Sequence, residues 1–221
     1  MKIIKLTPSQ HKEGRWLVWL ESGDLLRVSQ NEVADFGLYQ DMELDAETLA
    51  RLESAAETSA MKNKALDALS SRPMSRRELV NKLTAKPRRS QSKDDDFSPS
   101  DDKSLHTRAE SVADRLEELG LLNDESYAVQ VAKHYAAKGY GTHKVRDELF
   151  RRGVPREYWD VALESLDDPA PFLDAFLEKK LRGKESDRAE LKRAADALAR
   201  RGFFWEDISA ALARRGEYSE D

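Results

Sequence analysis

The sequence predicts a mainly α protein, with three tandem three-helix (helix-turn-helix-like) repeats stacked into an elongated molecule behind a small N-terminal antiparallel β extension. Three observations predict it. Strand-like runs bounded by turn residues are confined to the first 29 residues. From Asp45 onward apolar residues recur at helical spacing. The chain also repeats itself, with 145–163 matching 194–212 at an offset of 49 residues.

The β extension is read from three segments. Lys2 to Thr7 is short and rich in apolar and β-branched residues, and Arg15 to Glu21 carries Trp16, Leu17, Val18, Trp19 and Leu20. Ser22-Gly23-Asp24 is a turn signal, so Leu25 to Ser29 returns as the partner strand. Ser29 with Glu32 then forms a capping box, which predicts a short helix ending at Phe36 and Gly37.

The helical part begins with Asp45 as N-cap, followed by Leu49, Leu52, Ala56, Ala60, Met61, Ala65, Leu66 and Leu69 on one face. Ser75 and Glu78 form a second capping box, opening a helix with Leu79, Val80 and Leu83. The stretch 87–104 consists mainly of Arg, Ser, Lys and Asp with Phe97 as its one large hydrophobe. Such a segment buries too little surface to offset its ordering entropy, so it reads as a disordered linker. Helix resumes near Thr107 and stops at Gly120, and Asn123 or Asp124 caps the next helix to about Lys138.

The repeat is visible in single residues. Leu149 aligns with Leu198, Arg151-Arg152-Gly153 with Arg200-Arg201-Gly202, and Leu163 with Leu212. Each copy is a helix, a glycine stop and a second helix, preceded by a further helix at 124–138 or 171–181. A third copy lies upstream. Leu79 and Leu83 match Val145 and Leu149 at an offset of 66, while Val112 and Leu116 match Trp159 and Leu163 at 47. The difference of 19 residues is about the size of the polar linker. The expected parts are therefore 1–44 (β extension and short helix), 45–122 (repeat 1, interrupted by the linker), 123–168 (repeat 2) and 169–221 (repeat 3).

Three stretches carry a family resemblance: Ser75-Arg76-Arg77-Glu78-Leu79 with Lys82-Leu83; Leu116 and Leu119 to Asp124 with Tyr127-Ala128; and Lys138-Gly139-Tyr140-Gly141 with Val145, Glu148-Leu149 and Arg152-Gly153-Val154. Together, over roughly 60–215, they resemble the RecX family of RecA regulators. The β extension is similar to that of Gram-positive members. Two features depart from the family pattern. The polar insert replaces a Gly-aromatic turn, and Asn123 stands where the family usually has Asp. The resemblance implies a protein that binds RecA and its filament on single-stranded DNA, lying along the groove or capping the end. It also implies inhibition of recombinase and ATPase activity, hence a role in DNA repair and recombination.

Composition sets the remaining limits. The 221 residues hold 37 Lys+Arg against 42 Asp+Glu, a formal net charge of −5, which excludes a uniformly basic nucleic-acid binder. The segments differ from the total: residues 60–90 carry +7 and 179–201 carry +5, whereas 1–59 carry −5 and 158–178 carry −6. The basic candidates on or just after the middle helices are Arg76, Arg77 and Lys82 in repeat 1, Lys144, Arg151 and Arg152 in repeat 2, and Lys192, Arg193, Arg200 and Arg201 in repeat 3. Stacking such helices on one side would give a basic track for DNA phosphate or acidic protein surface, with weak, sequence-tolerant, salt-sensitive DNA binding. Tyr140, between two glycines, is the aromatic candidate for an exposed contact. Solvated helix faces and macrodipole complementation are the plainer explanation for the same charges.

Catalysis finds no support. There is no cysteine, the four histidines show no metal-ligand spacing, and no Gly-x-Ser-x-Gly elbow occurs. The expectation is a non-enzymatic regulator with no cofactor and no metal. With no run of about 18 apolar residues and no secretory signal at Met1, it is expected to be a cytoplasmic monomer without membrane contact. The alternative is a helix-turn-helix transcription regulator, which would bind specific duplex DNA as a symmetric dimer. A helical adaptor for another protein is a third reading.

Overall fold

The computed structural model describes residues 1–85, 99–182 and 188–216. Three strands, β1 (Ile3–Pro8), β2 (Arg15–Leu20) and β3 (Leu25–Ser29), form an antiparallel sheet in sequence order. Leu6 faces Val18, and Trp16 faces Val28. Gly23 makes the β2–β3 turn at φ +93°, a conformation that costs glycine nothing. The capping box before α1 (Gln30–Asp35) is complete: the Glu32 N–H donates to Ser29 Oγ, and the Ser29 N–H donates to the Glu32 carboxylate. Ser59 of α2 (Ala46–Ser71) also donates to Glu32. Asp45 caps α2 by accepting from the Thr48 N–H at 2.7 Å.

The sheet does not stand apart from α2. Ile3, Val18, Leu20 and Val28 share one buried cluster with Leu44, Leu52 and Ala56. Further helices are α3 (Arg76–Thr84) and α4 (Pro99–Glu118), the latter packed on α2. Helix α4 starts at Pro99, eight residues before the expected restart at Thr107. Proline tolerates a first helical position, because the N–H it lacks has no partner there anyway. The rest of the expected disordered linker, 87–98, lies outside the described residues.

Then come α5 (Asp124–Ala137), α6 (Thr142–Arg151), a 3₁₀ turn at Arg156–Tyr158, and α7 (Trp159–Glu164). The last three are α8 (Ala170–Leu181), α9 (Arg188–Arg200) and α10 (Trp205–Arg214). Each triplet has its own core. Tyr127, Val131, Val145, Leu149 and Ala162 fill one, and Leu173, Leu177, Leu198, Ile208 and Leu212 fill the other. The aligned pairs Leu149/Leu198 and Val145/Ala194 are all fully buried, so the sequence repeat is a repeat of core positions.

By contacts the chain divides into two compact units, Met1–Arg72 with Leu79–Leu119, and Pro73–Glu78 with Gly120–Asp221. The division falls within α3, whose first turn belongs with α5 to α10. Among the described residues no helix is long and apolar enough to cross a membrane.

Candidate partner-binding surface

The middle helices α3, α6 and α9 carry the basic candidates, and their ends meet in a recurring joint. The N–H groups of Gly141 and His143, at the start of α6, donate to the carbonyls of Arg201 and Gly202, just past α9, both at 3.0 Å. One repeat earlier, Ser75 Oγ at the start of α3 donates to the carbonyl of Arg152, just past α6. Each joint satisfies backbone groups that helix ends leave unpaired. The glycines make the approach possible. A Cβ on Gly202 would lie 2.5 Å from the Lys144 nitrogen, and one on Gly153 would lie 2.6 Å from Arg77 Cδ. Asp124, the first residue of α5, is buried and accepts from the Arg76 N–H at 2.8 Å. Asn123 caps α5 by accepting from the Ser126 N–H at 2.7 Å.

The paired arginines before these glycines do different jobs. Arg152 donates to the Tyr127 hydroxyl at 2.7 Å and lies over the Tyr135 ring at 5.9 Å. Arg201 donates to the Gly139 carbonyl at 3.1 Å and lies over the Phe176 ring at 5.3 Å. Both guanidiniums are thus committed inside the protein. Arg151 and Arg200, one residue earlier, are exposed.

Glu148 organises the cations of α6. Its carboxylate is buried, with Lys144 at 3.9 Å, Arg151 at 2.5 Å and Arg152 Nε at 3.8 Å. Burial pushes this carboxyl up. Hydrogen bonds from Arg151 and Tyr135, with the charges of Arg151 and Lys144, outweigh burial and hold it below the usual carboxylate range. The same bond raises the Arg151 guanidinium further. Three cations around one carboxylate leave two net positive charges at the α6 surface.

On α9, Arg193 pairs with Glu190 at 2.8 Å, while Lys192 and Arg200 are exposed and engage no side chain among the described residues. Arg76 is half-buried and Arg77 is exposed beside Gly153. Lys82 is exposed in the other unit. Tyr140 is half-buried, not fully exposed, its ring tilted against Tyr135 at 5.8 Å. Phe150 is the aromatic that sequence reasoning passes over. It is 63% exposed next to Arg151, at a position where repeat 3 has Ala199. The mismatch of Phe150 with Ala199 at the 49-residue offset is the sequence signal that marks it. Among the described residues no three His, Asp or Glu side chains gather in a way that could hold a metal ion.

Comparison with known proteins follows the same division into helices. Models of the second and third three-helix domains of RecX match residues 123–163 and 173–212. Regulatory protein RecX of Chlorobium phaeobacteroides (strain BS1) is 34% identical over 149 residues, 67% of this chain and 88% of that one. Regulatory protein RecX of Geobacillus kaustophilus (strain HTA426) is 32% identical over 221 residues, 96% of this chain and 76% of that one. The protein of the same name from Levilactobacillus brevis is 28% identical over 167 residues, 74% of this chain but 56% of the relative's length. A crystal structure of regulatory protein RecX shares the fold with TM-score 0.68 at 21% identity, covering 96% of this chain and 98% of that one. The repeated helix triplets, the joints between them and these identities together show that this chain belongs to the RecX family of regulatory proteins.

Proposed function

We propose that the chain binds RecA and the RecA filament on single-stranded DNA and restrains recombinase and ATPase activity, and so acts in recombination and repair. The observation that carries the proposal is the sorting of cations on the middle helices. Arg152 is committed to Tyr127 within the second triplet and Arg201 to Gly139 across from the third, whereas Arg77, Arg151, Lys192, Arg193 and Arg200 are exposed. Guanidinium groups recognise phosphate and carboxylate alike, so the exposed set suits both a DNA backbone and acidic protein surface. Phe150 adds an apolar contact beside it. The mechanism is binding that favours one filament state over another, which needs no reactive group, cofactor or metal. The reading places a monomer in the cytoplasm with RecA, making weak, sequence-tolerant DNA contacts.

The test is RecA's DNA-dependent ATPase with and without stoichiometric protein, together with filament length. Reduced turnover and shorter filaments are expected. Unchanged activity and length would refute the proposal. A protected, sequence-specific duplex footprint would instead favour transcriptional regulation by the same helix triplets.

A further inference from the structure

The β extension gives one face of its sheet to the core of the first unit and turns the other outward. Val18, Leu20 and Val28 are buried, and Leu6, Trp16 and Leu26 pack against them. The alternate positions, Leu17, Trp19 and Leu25, lie outside that cluster and are half-buried. The register sets them in two adjacent rows, Lys5–Trp19–Leu25 and Thr7–Leu17–Arg27, with Arg15 one step beyond. A register shift between Ile3 and Lys5 adds a bulged residue to β1, Ile4, which is 53% exposed.

An antiparallel sheet with one face in water ordinarily alternates apolar-in and polar-out. This outer face instead carries an indole and aliphatic side chains among cations. Its charge is one-sided as well. Lys5, Arg15 and Arg27 are the charged residues of the three strands, which contain no carboxylate, although residues 1–59 as a whole carry −5. Lys5 and Arg27 are exposed, and the Lys5 ammonium lies over the Trp19 ring at 5.1 Å. The outer side of the indole therefore meets a solvated, movable side chain and not packed core.

We propose that this face binds single-stranded nucleic acid, with an unpaired base stacked on Trp19 and the flanking phosphates held by Lys5, Arg15 and Arg27. A base offers its ring face only outside a duplex, so the platform selects single strands. Lys5 yields the indole to the base and keeps its charge beside the phosphate. An acidic peptide matches the cations alone, whereas a single strand matches cations and ring together. A membrane contact needs apolar side chains that protrude, and Leu17, Trp19 and Leu25 are half-buried. The site lies wholly within the first unit and is independent of the exposed helix cations.

The test uses the full-length protein without RecA, so its outcome is separate from that of the proposed inhibition. A fluorescein-labelled oligothymidylate of about 15 nucleotides, within the site sizes of such platforms, is titrated by anisotropy. Saturable binding is expected, with a shift of the Trp19 indole N–H signal in NMR spectra. Trp19→Ala should weaken binding at least about fivefold, the low end for one lost base stack, and Trp19→Phe should weaken it less. Lys5→Gln with Arg27→Gln should flatten the dependence of log affinity on log salt by about 1.4, or about 0.7 for each phosphate contact. The unfolding midpoint checks the fold of each variant, and the indole shift is read on the native chain. No binding, or an unmoved Trp19 signal at saturation, would overturn the proposal. Unchanged affinity in a folded Trp19→Ala variant, or equal affinity for a duplex of the same length, would do so too. Tighter binding to vesicles of phosphatidylglycerol than to the oligonucleotide would make the face a membrane contact instead.

Discussion

The backbone N–H of Gly141 donates to the carbonyl of Arg201 at 3.0 Å, and with the bond from His143 to Gly202 it ties the start of one middle helix to the end of the next. The two backbones approach so closely that a Cβ on Gly141 would lie 2.3 Å from the Gly202 oxygen. Gly141 has φ −81°, an ordinary value, so Gly141→Ala meets a purely steric obstacle. Gly120 is the opposite case, with φ +68° and open space around its missing Cβ. Gly120→Ala should cost about 1–2 kcal/mol from backbone strain alone. Gly141→Ala should cost more, about 2–4 kcal/mol, because backbone must move on both sides. Urea unfolding of the two variants checks the order.

The adjacent arginines should separate by measurement. Arg152→Ala removes a buried bond to Tyr127, and Arg201→Ala removes the bond to Gly139, so each should cost about 1–3 kcal/mol. Lys192→Ala and Arg200→Ala touch exposed side chains without partners among the described residues and should stay within about 0.5 kcal/mol. Thermal unfolding of the four variants distinguishes structural from surface cations. Equal losses at Arg200 and Arg201 would contradict the assignment.

Glu148 makes the stability of the second triplet depend on pH. Its folded carboxyl titrates below the unfolded value of about 4.3, so its contribution is complete above that pH and is lost as pH falls through the folded value. Glu148→Gln should therefore be destabilised at pH 7 relative to the native chain, and the gap should close under acid conditions. Denaturation midpoints at pH 7 and near pH 3 test this, and a gap independent of pH would count against it.

The first unit has its own diagnostic contact. Glu32 accepts from the Ser29 N–H and from Ser59 on α2, joining the end of the sheet to the long helix. Ser29→Ala loses only the cap and should cost about 0.5–2 kcal/mol. Glu32→Ala loses both bonds and should cost more. Hydrogen exchange should quicken in α1 and β3 in both variants, with α9 and α10 unchanged.

Charge reversal on the outer cations probes the proposed function without touching the joints. Lys192→Glu with Arg200→Glu should leave the unfolding midpoint nearly unchanged and weaken inhibition of RecA's ATPase. Retained inhibition would remove α9 from the contact surface. The proposed contact is made by exposed cations, so the reading predicts that inhibition by the native protein falls as salt rises.

Much of the fold was legible because helix and turn signals are local. The capping box at Ser29 and Glu32 and the Asp45 cap act within one helical turn, and each occurs where its residues predict. The 49-residue offset was legible because Leu149 and Leu198 fill equivalent places in two cores. The start of α4 at Pro99 was not, since hydrophobic periodicity is silent in a polar stretch. The site was less legible than the fold. In sequence, Arg151 and Arg152 are equal neighbours, as are Arg200 and Arg201.

By itself the sequence determined the β extension, the helix triplets, their repeat and the family, because these depend on periodicity and on residues a few positions apart. Tertiary structure alone decided which cations are spent and which are exposed. A side chain's availability depends on partners such as Tyr127 and Gly139, which lie 25 and 62 residues away from Arg152 and Arg201.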